Sequence, residues 1–382
     1  MNNGVLKAFQ IHYKAYCSKY NPSQVQNKAA YSIMRCKSGE LGRSISICED
    51  CGHQEIHNNS CRNRSCPGCQ AVLKEVWIDS RKSEVIGASY FHVVFTVPFE
   101  LNSIIITNQK LLYSLMHRTV SKTLLELSAD KKYLGATPGI IQVLHTWGQE
   151  LNFHPHIHCI ITGAGLTSSN QFQKGRDKFF IPVTVLSRKF RGIFLSELQS
   201  LYKNNILAFC GNTLPLRNSF EWSEFRNSLY HKEWIPHIKE TFNGFGNAIE
   251  YLGRYTHRIA ISNSRIVEVT DNYVSFTAKD YRTGESKLIT IDGVEFIHRF
   301  LTHVLPSGFQ KIRNCGFLNN RYKSKNLKLI SKLTGRQLFK SIYNGLKMDE
   351  LLKAVWDVNV HLCPACGCEH LNHAGRIFPM RN

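Results

Sequence analysis

Apolar positions along this chain change period several times, and each change marks an element. Residues 90–98, Tyr-Phe-His-Val-Val-Phe-Thr-Val-Pro, are aromatic and β-branched and end in a proline. That predicts a central strand. Residues 107–128 carry Leu111, Leu112, Leu115, Met116 and Val120 near a 3.6-residue period, which predicts a helix. Residues 140–147 predict another strand, and a short turn leads from it into a second, apolar from Ile157 to Ile161. The order strand, helix, strand, strand gives an α+β fold with two adjacent antiparallel strands. Residues 265–270 and 273–277, joined by Asp271-Asn272, predict a hairpin, and 287–291 a further strand. Residues 1 to about 40 read as mostly helical. Asn247 with Glu250 three residues on resembles a capping box, so a helix is expected to start there and to carry Tyr251 and Tyr255 on one face.

Composition narrows the function classes. The chain has 382 residues, 43% of them hydrophobic and 20% charged, as in an ordinary globular protein rather than a disordered one. Lys plus Arg is 48 against 28 Asp plus Glu, a formal +20. So large an excess calls for a polyanionic partner, and nucleic acid is the first candidate. No apolar run reaches the roughly 20 residues of a membrane span, and the N-terminus lacks a signal pattern. A cytoplasmic protein without membrane partners is expected, associated with the nucleoid of a bacterium. Residues 311–340 hold nine Lys or Arg and no acid. That favours a phosphate-tracking surface, with Lys311, Arg313, Arg321 and Lys323 as candidate contacts.

Thirteen cysteines in a long chain without a signal peptide point to reduced thiols and metal sites. Cys48-x-x-Cys51 and Cys66-x-x-Cys69 are two knuckles with fourteen residues between them. This spacing predicts a structural four-thiolate zinc site on Cys48, Cys51, Cys66 and Cys69, with Cys61 and His57 as spare donors that could replace one thiolate. Arg62 and Arg64 beside this module are candidate phosphate contacts. Cys17 and Cys36 read as packed thiols. In the tail, Cys363-Pro-Ala-Cys366-Gly-Cys368 offers a single further knuckle, with His370 and His373 nearby.

The sharpest chemistry lies at His154-Pro155-His156-Ile157-His158. Residues two apart on a strand share a face, so His156 and His158 project together and Ile157 opposes them. Two imidazoles on a rigid strand make an open divalent-metal site. A metal there would polarise a phosphodiester, and a tyrosine could then attack phosphorus to give a covalent phosphotyrosine and a free 3′-hydroxyl.

This combination resembles the HUH endonucleases. The whole chain resembles rolling-circle transposases of the insertion-sequence-ninety-one family. The matching stretches begin with Arg62-Asn-Arg-Ser-Cys-Pro-Gly-Cys69 and the strand at 91–98. They continue with Leu144-His-Thr-Trp-Gly-Gln149, His154-Pro-His-Ile-His158, Tyr251-Leu-Gly-Arg-Tyr-Thr-His-Arg258 and Leu305-Pro-Ser-Gly-Phe309. The resemblance implies an N-terminal zinc-binding domain and an HUH-type catalytic domain, its central antiparallel sheet of five strands flanked by helices. It implies Mg²⁺ or Mn²⁺ on His156 and His158, Tyr251 and Tyr255 as nucleophiles, and single-stranded DNA at element ends and target as substrate. Host replication or helicase machinery would expose that strand. His145, Gln149 and His154 are candidates for a third ligand.

The expected division is a zinc-binding, DNA-binding domain at 1–85 and a catalytic domain at 86–265, then a basic DNA-contacting region at 266–345 and a Cys/His-containing tail at 346–382. Two other functions remain in view: a plasmid relaxase or replication initiator with the same chemistry, and a non-catalytic zinc-dependent DNA-binding protein.

Overall fold

The computed structural model describes residues 3–176, 181–241, 253, 260–280 and 283–378. In chain order they form α1 (Gly4–Lys19), α2 (Gln24–Met34), β1 (Arg43–Cys48), β2 (Gln54–Asn58), α3 (Ala71–Lys82) and β3 (Tyr90–Thr96). Next come α4 (Asn102–Thr107), α5 (Gln109–Ala129), β4 (Thr137–Trp147), β5 (Phe153–Leu166), β6 (Phe172–Lys174), α6 (Val183–Lys203) and α7 (Ser219–His231). The rest are β7 (His237–Thr241), β8 (Ile266–Val269), β9 (Tyr273–Lys279), β10 (Ser286–Asp292), α8 (Gly293–Thr302), β11 (Ile312–Gly316), α9 (Lys323–Thr334), α10 (Met348–Trp356) and β12 (Leu371–Ile377).

The central sheet is antiparallel, in the order β11-β4-β5-β3-β7, with β6 paired to β5. The α+β class and the helix-flanked antiparallel sheet expected from the sequence are therefore present. Strand alternation sorts its two faces. Phe91, Val93, Phe95, Ile140, Leu144, Ile157, Cys159 and Ile161 point into one core with Leu112, Leu115 and Met116 of α5 and Phe190 and Phe194 of α6. On the other face Tyr90, Ile141, Val143 and Ile160 pack with Ile78 of α3 and Leu327 and Ile330 of α9. Both faces are buried, which is why β3 reads as a nearly continuous apolar run rather than as an alternation.

Pro155 sits inside β5 although it has no N–H for the ladder. It is tolerated because the register between β4 and β5 shifts between the His145↔His156 and Trp147↔Phe153 pairs, and a bulge relieves one ladder bond.

A second core joins distant parts of the chain. Val5, Phe9 and Tyr13 of α1 pack with Ile33 of α2, Phe276 of β9 and Phe296 and Phe300 of α8. The linear division expected at 85/86 and 265/266 runs through this core. The N-terminal helices and the β8-β9-β10 sheet with α8 are one packing unit. A third, small sheet has the order β12-β1-β2, so the tail pairs with the N-terminal cysteine hairpin.

Ile157 is fully buried on the α5 face, whereas Val267 of β8 is 59% exposed. Ile157→Ala should therefore lower the unfolding free energy by about 2–5 kcal/mol, and Val267→Ala should change it by less than about 0.5 kcal/mol. Urea denaturation of both variants measures this; equal losses would reverse the facing assigned to β5.

Candidate functional site

The site grows from the β4–β5 hairpin. His145 lies opposite His156 in the ladder and Val143 opposite His158, so His145, His156 and His158 share one face. A ring nitrogen from each falls in one group whose ligand atoms all lie within 4.8 Å of one another. His156 Nδ1 lies 2.7 Å from the carbonyl of His154, to which it donates, so its Nε2 keeps the lone pair. His158 Nδ1 lies 2.9 Å from His92 Nε2, which leaves His158 Nε2 turned toward His156. The two Nε2 atoms are 3.1 Å apart.

That geometry fits a divalent cation. Donors about 2.1 Å from an octahedral ion stand about 3.0 Å apart when adjacent. The imidazoles are also in the form a metal needs. Burial is the main cause that pushes His156 down to about 4, and burial first, then the neighbouring His156, holds His158 well below the usual histidine range. His92 stands behind His158 as the partner that fixes a ligating ring's orientation. His145 is the third member of the group, stacked on Trp147 with centroids 4.7 Å apart. Of the three candidates for a third ligand, the structure brings His145 to the pair. His154 contributes its carbonyl to His156, and Gln149 sits on the hairpin turn.

That turn is held from outside. Leu151 is a buried residue with φ 61°, a strained conformation for a side chain of its size. Arg265 donates to the carbonyl of Gln149, Arg299 to that of Glu150 at 3.1 Å, and His303 Nε2 to that of Leu151 at 3.1 Å. Three consecutive carbonyls of the turn are thus satisfied by the unit built from β8, β9, β10 and α8.

The expected basic contacts separate into two kinds. Lys311 stands at the site: its Nζ lies 4.8 Å from the Trp147 ring centroid, and burial lowers its pKa to about 7. Arg64 spends its guanidinium on the carbonyls of Phe309, Leu305 and Pro306 at 2.8, 2.9 and 2.7 Å. It holds the 305–309 loop. Arg313 donates to Ser114 of α5 at 3.1 Å, and Lys323 pairs with the buried Glu84. Arg62 and Arg321 are exposed, Arg321 lying over the Tyr322 ring. On α9, Lys325, Lys328 and Lys332 face outward while Leu327 and Ile330 pack beneath.

The cysteines are not grouped as their spacing suggests. Cys66 and Cys69 gather with Cys36 and Cys61, and Cys48 gathers with Cys363, Cys366 and Cys368 of the tail. Cys51 joins the tail group, its Sγ 3.7 Å from that of Cys363. The two knuckles expected to share one ion therefore belong to different clusters. Cys36, read as a packed thiol, has its Sγ 3.5 Å from that of Cys69. It has no knuckle partner in sequence, so spacing could not find it. Of the spare donors, Cys61 belongs to the first cluster, while His57 lies exposed on β2 beside Glu55.

Tyr251 and Tyr255 lie outside the described residues, as does the expected start of their helix. Gly253 between them is described: it is helical and buried, and a Cβ there would fall 2.3 Å from Ile78 Cγ1.

A family model described as "Putative transposase" matches residues 139–326, and one described as "Transposase zinc-binding domain" matches residues 8–97. The chain is 40% identical over 334 residues to "Putative transposase y4qJ" of Sinorhizobium fredii, covering 87% of this chain and 84% of that protein. It belongs to the insertion-sequence-ninety-one family of transposases. A second transposase, that of insertion sequence element IS801 from Pseudomonas savastanoi pv. phaseolicola, is 26% identical over 361 residues, covering 90% of this chain and 82% of the relative. No solved structure matches the chain significantly. Among the described residues no helix of this transposase is long and apolar enough to cross a membrane.

The zinc-binding match at residues 8–97 contains all four thiols of the first cluster. Cys36→Ser in this transposase should lower bound zinc by close to one equivalent and loosen residues 36–70, since metal binding in such modules is coupled to folding. Plasma mass spectrometry of the purified variant reads the zinc directly; full zinc content would remove Cys36 from the ligand set.

Proposed function

We propose that this transposase nicks and rejoins single-stranded DNA at the ends of its element by metal-assisted tyrosine attack, with 5′-phosphotyrosine intermediates, in a rolling-circle mode. The observation that carries the reading is the convergence of His145, His156 and His158 on one face of the sheet with their ligand atoms in one group. Two further observations support it. Gly253, midway between Tyr251 and Tyr255, is buried against Ile78, and Ile78 packs on that same face. The basic outer surface of α9 flanks that face too.

His145, His156 and His158 would hold Mg²⁺ or Mn²⁺, which when bound polarises a phosphate oxygen and offsets the charge that develops on it. His92 and the His154 carbonyl hold two of those rings in position. Lys311 adds positive charge beside the same oxygens. A tyrosine hydroxyl, Tyr251 or Tyr255, gives up its proton to solvent and its oxygen bonds to phosphorus. The bond from phosphorus to the 3′-oxygen breaks, and that oxygen takes up a proton. The 5′ phosphate is then esterified to tyrosine. A second cut by the other tyrosine frees another 3′-hydroxyl, which attacks the first phosphotyrosine and rejoins the strand. Each exchange replaces one phosphodiester with another, so no ATP is consumed.

In this reading the thiol module, the exposed Arg62 and Arg321 and the α9 lysines track the DNA backbone, and residues 86–265 carry the chemistry. The sequence contains no Gly-x-x-x-x-Gly-Lys-Ser/Thr loop to cradle a nucleotide. Strand opening is then left to host replication or a helicase. ATP-dependent unwinding by the purified protein would contradict this.

A labelled single strand carrying an element end, resolved on a denaturing gel, tests the chemistry. Wild type with Mn²⁺ should form a covalent adduct at the 5′ end. Tyr251→Phe and Tyr255→Phe should each still form an adduct but fail at strand transfer, and the double variant should form none. Binding without any adduct would identify a non-catalytic DNA-binding protein. One single variant that loses every adduct, beside another that transfers normally, would leave one nucleophile.

The metal reading has its own measurement. His145→Ala should weaken Mn²⁺ binding about 10-fold or more, the loss typical even of a ligand's supporting partner, and Gln149→Ala should leave it unchanged. Calorimetric titration gives both, and the reverse order would move the third ligand to Gln149.

A further inference from the structure

The tail cysteines, which neither family match reaches, form a second cluster with the first N-terminal knuckle, which lies within the zinc-binding match at residues 8–97. The two knuckles are the same turn. In Cys48-Glu-Asp-Cys51-Gly52, Gly52 N donates to the Cys48 carbonyl at 3.0 Å and Cys48 N to the His53 carbonyl at 2.9 Å. In Cys363-Pro-Ala-Cys366-Gly367, Gly367 N donates to the Cys363 carbonyl at 2.9 Å and Cys363 N to the Cys368 carbonyl at 2.7 Å. Gly52 and Gly367 have φ of 72° and 75°, the left-handed conformation that closes each turn.

The sulfurs of the two turns face each other. Zinc at about 2.3 Å from each sulfur of a tetrahedron sets neighbouring sulfurs about 3.8 Å apart. Cys48 and Cys366 are 3.7 Å apart, and so are Cys51 and Cys363. Cys368 lies closer, 3.2 Å from Cys48 and 3.3 Å from Cys366, tighter than a shared tetrahedron allows.

The surrounding sheet cannot stand on its own apolar contacts. Its core consists of Cys48, Cys363 and Leu371, with Cys368 packed against it. Strand β12 nevertheless pairs with β1 over six residue pairs, Arg43↔Ile377 through Cys48↔Leu371. So small a sheet needs a covalent or metal fastening to persist.

We propose that Cys48, Cys51, Cys363 and Cys366 hold a second structural zinc, which fastens the C-terminal tail to the N-terminal module and makes β1 the central strand of the small sheet. Four thiolates close the coordination sphere, so the ion does no chemistry. The proposal stands apart from the nucleophile chemistry and from the histidine site.

The test uses the full-length, zinc-loaded chain under a reducing agent that forms no mixed disulfide. Cys17, Cys210, Cys51 and Cys366 are all exposed. Without metal at the tail all four are open to alkylation. With zinc bound, Cys51 and Cys366 should react with N-ethylmaleimide at least about tenfold more slowly than Cys17 and Cys210, because ligated sulfur is a poor nucleophile. A strong chelator should abolish the difference. Equal reactivity before the chelator overturns the proposal. Zinc analysis provides a second reading. Full-length Cys363→Ser/Cys366→Ser should lose one equivalent relative to wild type, and Cys368→Ser should lose none. Wild-type zinc content in the double variant overturns the site, and loss in Cys368→Ser with retention in Cys51→Ser overturns this choice of ligands.

Discussion

Everything at the candidate centre depends on the register of β5 between β3 and β4. A slip of one residue would turn His156 and His158 into the α5 core and bring Ile157 out among the imidazoles. Burial on the opposite face prevents it. Ile157, Cys159 and Ile161 are fully buried against α5 and α6. At roughly 1.5–3 kcal/mol per large apolar side chain, taking that row out of its core would cost several kcal/mol, a large part of a typical domain's stability. The grouping of the histidines is thus enforced from behind, by side chains that never touch them. The hairpin turn supplies the second constraint, because Arg265, Arg299 and His303 take up three successive carbonyls around the strained Leu151.

The same burial sets the electrostatics. Imidazoles on a covered sheet face do not tolerate charge, so His156 is pushed down to about 4 and remains neutral through the physiological range. Lys311 is pressed the same way, down to about 7. Near neutral pH it divides between charged and neutral forms, and an approaching phosphate would draw it to the charged one.

The parts of this architecture that are local were legible in the sequence. Strand β3, helix α5 and the β8–β9 hairpin each declare themselves within a dozen residues or so, through period and turn chemistry. The facing of His156 and His158 follows from alternation alone. His145 was one of three candidates, because choosing it needs the ladder partner of His156 and the bulge at Pro155, and neither is written in local pattern. The thiols show the limit most clearly. Spacing pairs Cys48 and Cys51 with Cys66 and Cys69, but sulfurs three hundred residues away compete for the first knuckle, and Cys36 has no local partner to advertise it. Arg64 fails for a related reason. In a chain of charge +20 any arginine reads as a phosphate contact, until three carbonyls are found around its guanidinium.

These long-range commitments bear on how the chain can be divided. Helix α1 packs on α8 and β9, the tail pairs with β1, and Lys323 of α9 reaches the buried Glu84 beyond the end of α3. Each contact crosses a boundary that a linear reading would draw. A fragment ending near residue 85 would expose Phe9 and Val5 of the shared core and leave β1 with only β2 beside it. A fragment beginning near residue 86 would lose the α1 surface on which α8 packs, and α8 carries the Arg299 that grips the β4–β5 hairpin. The thiol module and the histidine sheet are therefore coupled through one folded core. A change in the N-terminal helices has a physical route, by way of α8 and the carbonyls of the turn, to the strand that carries His156 and His158.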